Sequence, residues 1–200
     1  MPTEKGKKLL EVIRFVRSTM EQVALLLQTC DEQFKKAGWR SLHQNTAVTE
    51  SGASIYCPKD WLPKEAFRIY GRDGSKTVAY VAVILDDANQ SYRGLHEPLV
   101  TAGCFIPPER DIDTQHQYYW VRSHCLQTEN VDGTEAAVDL TKVAPETRTE
   151  WGKEHVSRQV TFGLPLANCT GSTELKEQVI DKVLAMVEKH EGEVFTTPAK

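Results

Sequence analysis

Between residues 9 and 34, apolar side chains recur at alternating steps of four and three: Leu9, Ile13, Val16, Met20, Val23, Leu27, Cys30 and Phe34. Positions at that spacing share one face of an α-helix. The pattern predicts a long amphipathic helix over residues 5–37, a rod of roughly 45 Å at 1.5 Å per residue. Lys35 and Lys36 fall in its last turn, where cations favour the negative helix end, and Gly38 suits a left-handed closing residue. In heptad numbering Ile13, Met20, Leu27 and Phe34 take the a positions, and Leu9, Val16, Val23 and Cys30 the d positions. A coiled coil would set charged pairs at the flanking e and g positions, which here hold Leu10, Val12, Ala24 and Leu26. So broad a face predicts a helix lying on its own domain's core. Phe15 and Leu25 are left on its back, where they are the expected contacts with a second copy.

After residue 48 the period drops to two. Residues 51–58 read as a short β-like stretch closed by Pro58. Residues 61–87 read as strand, Gly-Arg-Asp-Gly turn and longer strand, which together make a hairpin. In that longer strand Val78, Tyr80, Ala82 and Ile84 alternate with Ala79, Val81 and Val83. Both sets are apolar, which predicts a central strand covered on both sides. Further strands are expected over 97–108, 117–127, after the Asp-Gly turn at 132–133, and over 157–166. A second helix over 173–191 carries Leu175, Val179, Ile180, Val183, Leu184 and Val187 on one face, with Ser172 or Thr173 as its cap. Residues 142–156 are ambiguous between loop and short helix, and 192–200 read as a frayed tail. The expectation is one α+β domain over 1–200. It has a long N-terminal helix, a mainly antiparallel sheet of about six strands spanning 48–166, and a C-terminal helix packed on the sheet. That element order resembles small sensory modules of the PAS or GAF kind, a resemblance of order alone that no motif carries and that gives no function.

Composition narrows the function classes. The formal net charge is −4, which gives no chain-wide basic field for nucleic acid. Residues 1–40 hold eight Lys/Arg against five Asp/Glu, or +3, leaving −7 on the rest. Glu11, Arg14, Arg17 and Glu21 break the first apolar stretch, so neither a secretory signal nor a membrane span is expected. Five scattered cysteines without a C-x-x-C pair suit free thiols in a reducing cytoplasm. No G-x-G-x-x-G or G-x-x-x-x-G-K-[ST] motif occurs, so no cofactor is expected.

Three constellations can carry chemistry. Tyr118, Trp120, Arg122 and His124 alternate along an expected strand and so share a face, where an aromatic, guanidinium and imidazole row can hold an anionic or planar ligand. Asp86 and Asp87 at a strand end, with Glu97 after His96, can ligate a divalent metal for hydrolysis. Cys104, beside small residues that permit close approach of a backbone or ligand, becomes a nucleophile if His96, His116 or His124 lies near. No compact catalytic motif accompanies them. The leading expectation is therefore a non-catalytic cytoplasmic module that binds a ligand or protein partner and pairs with itself. A hydrolase and an interaction subunit of a larger assembly are the alternatives.

Overall fold

The computed structural model describes residues 3–50, 55–56, 62–86, 97–106, 132–139, 158–169 and 171–191. Helix α1 spans Glu4–Lys36 and starts at Thr3, whose hydroxyl accepts a hydrogen bond from the Gly6 amide at 3.1 Å. It ends as its sequence predicts, with Gly38 at φ 81° and the Trp39 amide turned back onto the Phe34 carbonyl at 2.9 Å.

The strands are β1 (Arg40–Ser41), β2 (Val48–Glu50), β3 (Glu65–Gly71), β4 (Val78–Ile84), β5 (Leu99–Ile106), β6 (Ala136–Asp139) and β7 (Arg158–Pro165). Every pairing is antiparallel, in the order β1-β3-β4-β5-β7-β6, with β2 also paired to β3. β1 and β2 are fragments of two and three residues that share β3 as partner. The sheet therefore has five full strands among the described residues, and not about six. One source of the difference is the β-like stretch at 51–58. There Ile55 and Tyr56 form a turn and are 74% and 88% exposed, so their strand propensity meets no packed face. The expected strand at 117–127, the ambiguous 142–156 and the tail at 192–200 lie outside the described residues.

Both faces of the sheet are buried, as the two-sided apolar pattern of β4 requires. One face, with Tyr70, Val81, Val83, Ala102, Cys104, Val160 and Phe162, meets the helices. The other, with Phe67, Ile69, Tyr80, Ala82, Ile84, Leu99 and Phe105, is as well sealed. On that second face Gly103 sits in register between Tyr80 and Thr161, and the Tyr80 hydroxyl crosses it to bond the Thr161 hydroxyl. A Cβ on Gly103 would come within 2.1 Å of the Val160 carbonyl oxygen. The close approach expected around Cys104 is thus made by the backbone of β7.

A 3₁₀ turn, Leu166–Asn168, leads into the second helix, here α2, over residues 172–191. It opens as α-helix (Ser172–Leu175), widens to a π-helical segment (Lys176–Ile180) and continues as α-helix (Asp181–Glu191). Its N-cap is Gly171, without a side-chain cap, so Ser172 and Thr173 already lie inside the helix. The wider winding brings residues five apart together, and the Lys176 ammonium lies 2.6 and 2.9 Å from the two Asp181 oxygens. Helix α1 lies over β3 and β4, and α2 beside it over β5.

A buried ion pair pins α1 to the sheet. Arg68 projects from β3 with 4% of its side chain exposed and grips Asp31 of α1 by two bonds, at 3.1 and 2.6 Å. Its remaining donors reach the Thr46 carbonyl at 2.7 Å and the Gln44 carbonyl. Phe34 stacks on Tyr70 at 4.0 Å nearby. At the far end of α2, Glu191 accepts from Arg72 at 2.6 Å and from the Ser75 hydroxyl.

Candidate functional site

Only part of α1 rests on this core. Val23, Leu27, Cys30 and Phe34 are buried, whereas none of the nineteen residues from 4 to 22 is. Those nineteen residues make an arm of roughly 28 Å at 1.5 Å per residue. The apolar stripe does not stop where the core stops. Leu9 and Ile13 continue the line of Val23 and Leu27, yet are 62% and 48% exposed, with Leu10 and Val12 beside them. The broad face expected to lie on the core is therefore split, and its N-terminal half lies open.

At the base of the arm, where α1 passes the start of α2, lies a cleft of about 320 Å³. Val23, Leu26, Leu166, Cys169 and Leu175 give it an apolar lining, and Leu25, 53% exposed, stands beside them. Thr19, Gln22, Thr29 and Ser172 supply the polar groups. The Thr19 and Thr29 hydroxyls are spent on carbonyls one turn back, those of Phe15 and Leu25, at 3.0 and 2.9 Å. Glu174 folds over the N-terminus of α2, so closely that a Cβ on Gly171 would meet its Oε2 at 2.2 Å. The positive helix end is thereby occupied by the chain's own carboxylate. Burial pushes the Cys169 thiol above its ordinary value of 9.0, which keeps it protonated at neutral pH. No ionisable group apart from that thiol stands among the described lining residues. The chemistry on offer is an apolar recess with a hydrogen-bonding rim, suited to receiving a side chain.

Phe15 and Leu25, the expected pairing contacts, are 73% and 53% exposed, and both flank this cleft along α1. Phe15, Thr19, Gln22 and Leu26 follow one another at steps of four, three and four, so Phe15 stands one turn above the cleft on the same helix face. Asp86 and Glu97 are both exposed and flank the same end of the β4 and β5 pair, just beyond Ile84 and Leu99. Asp87 and His96 lie outside the described residues. No group of three or more His, Cys, Asp or Glu side chains able to hold a metal occurs among the described residues. Cys104 is 2% exposed and sealed between Ala79 and Val160 under the helices, away from any substrate. Tyr118, Trp120, Arg122 and His124 lie outside the described residues, as does His116. No sequence signal marks the cleft itself, because its lining joins α1 to residues 166–175, more than 130 positions away. Among the described residues no helix is long and apolar enough to cross a membrane.

No protein-family model, no curated protein and no solved structure matches this chain.

Proposed function

We propose that this chain is a non-catalytic protein-binding module, whose working element is the projecting half of α1 with the cleft at its base, and which pairs with itself. The observation that carries the reading is the apolar stripe of α1, which runs on past the core through the half-buried Met20 and Val16 to Ile13 and Leu9, both exposed. Contiguous apolar surface of this extent marks a place where another surface sits. An isolated amphipathic helix of this length is marginally stable in water, and a partner that covers its stripe supplies the packing that most helices need. The nature of the cleft supports the same role, since its apolar lining and polar rim resemble the centre and edge of a protein interface.

The test is substitution of the open stripe. Leu9→Asp with Ile13→Asp is expected to leave the far-UV spectrum of the sheet and the melting temperature of the dilute protein within about 2 °C of the parent, because both sites are exposed. Self-association measured by light scattering at about 100 µM, on the order of the weak end of protein pairing, is expected to disappear. Association unchanged by both aspartates would refute the arm as the working element.

A further inference from the structure

We infer that the projecting half of α1 receives an acidic amphipathic helix of another protein, seated on Leu9 and Ile13 in the step between the arm and the domain. This rests on the protein-binding reading above and names the chemistry of a partner beyond the second copy.

The cations of the arm carry the inference. Residues 4–17 hold five Lys/Arg and two Asp/Glu, a net +3. Measured from Ile13 at the helical step of 100° per residue, Leu9, Leu10 and Val12 fall at about −40°, +60° and −100°. Arg17, Arg14 and Lys7 stand at about +40°, +100° and +120° on one side of Ile13, and Lys5 and Lys8 at about −80° and −140° on the other. The two carboxylates, Glu11 and Glu4, fall at about 160° and 180°, on the back of the helix. Phe15 is there too, at about −160°, and takes no part in this face. All five cations are exposed, and none is held in an ion pair of its own chain among the described residues. Lys5 and Lys7 also stand in the first turn, where the helix dipole is positive and disfavours cations. A partner edged with carboxylates offsets both the crowding of the cations and the dipole, as complementarity across an interface requires.

The shape of the site selects a rod. Val23 and Leu27, on the line of Leu9 and Ile13, are buried against the domain, and Val16 and Met20 between them are half-buried. The domain thus stands on the side to which the open stripe faces, and arm and domain enclose a step. A helix about 10 Å across fits such a step with its apolar face on the arm. A flat bilayer laid along the stripe runs into the domain. A second arm has the right shape but the wrong sign, since two arms face to face bring +3 against +3. Pairing of two arms is therefore held back by a repulsion that salt screens. Attachment of an acidic helix is strengthened by an attraction that salt removes.

Salt and charge separate the cases in the full chain. The probe is a synthetic helix of about 21 residues with leucine at its a and d positions and glutamate at e and g, and its control carries lysine at e and g. By fluorescence anisotropy of labelled peptide, the acidic probe is expected to bind at least about tenfold more tightly than the lysine control at about 50 mM salt, and to lose that margin at about 500 mM. Leu9→Asp with Ile13→Asp is expected to abolish its binding. Lys7→Glu with Arg14→Glu is expected to weaken it about tenfold, since each reversed charge faces a glutamate. Self-association by light scattering is expected to move the other way, tightening as salt rises and falling when the acidic peptide is added. Equal affinity for the two peptides, or acidic binding that survives both aspartates, would overturn the acidic helix as the occupant. Binding of neither peptide, with self-association still lost in Leu9→Asp with Ile13→Asp, would overturn it while leaving the arm as an interface between copies. Sedimentation with phosphatidylserine vesicles in the absence of peptide binding would assign the arm to a lipid surface and overturn it as well. Self-association untouched by both aspartates would instead refute the reading beneath it.

Discussion

The pair formed by Arg68 and Asp31 should be destabilised unequally from its two ends. Arg68 is nearly sealed, while Asp31 keeps 34% of its side chain exposed. Asp31→Ala removes the only carboxylate that Arg68 touches by a described bond and leaves a buried guanidinium with two carbonyl acceptors, those of Thr46 and Gln44. Stranding a buried charge in this way costs about 3–5 kcal/mol. Arg68→Met keeps the aliphatic volume and lets Asp31 rehydrate at the surface. Its cost is the loss of charged donors to the two carbonyls, about 1–3 kcal/mol. In the double variant Asp31 has no partner left to lose, so its stability should match that of Arg68→Met alone. Urea unfolding followed by circular dichroism gives each value from the midpoint at constant slope. For a chain of this length about 2–4 °C of melting temperature accompany each kcal/mol. If Arg68→Met proved the more damaging, or if the two costs added within about 0.5 kcal/mol, the pair would not be coupled as the burial implies.

Leu27→Ala should cost about 2–5 kcal/mol because Leu27 is 3% exposed, whereas Leu9→Ala in dilute protein should cost under about 0.5 kcal/mol. Equal costs in thermal melts would show that the arm is packed on the domain. Gly103→Ala should destabilise by at least about 1–3 kcal/mol, since the new Cβ collides with the backbone of β7, and a neutral effect would contradict the strand spacing. Burial pushes both the Cys30 thiol and the Tyr70 hydroxyl above their ordinary values of 9.0 and 10.0, helped by Asp31 beside each. The native state then holds protons that the unfolded chain releases, so stability is full below about pH 9 and falls above it. The slope is roughly 1.4 kcal/mol per pH unit for each group past its ordinary value. Denaturation midpoints measured from about pH 8 to about pH 11 check the sign, and a rising stability would refute it.

The hairpin of β3 and β4 was legible because a Gly-Arg-Asp-Gly turn joins two apolar runs, and its two-sided burial because both alternations of β4 are apolar. The ends of α1 were legible from Lys35, Lys36 and Gly38, which act within one turn. Less legible was the start of α2, where Gly171 takes the cap position with no side chain to signal it. Its π-helical segment also gave no local sign, though Val179 and Ile180 within it are seated in the core. Ile55 and Tyr56 misled for the converse reason, being good strand formers in a turn.

For α1 the division is sharpest. Its sequence determined that residues 9 to 34 form one helix with one apolar stripe, because the helical period is a property of the backbone alone. What covers that stripe is a matter of distant partners. Tertiary structure set Arg68, Tyr70 and α2 against the half that begins at Val23, left Met20 and Val16 half-buried, and left Ile13 and Leu9 in the open. Periodicity states which face is apolar; only the packed domain decides where that face has a neighbour.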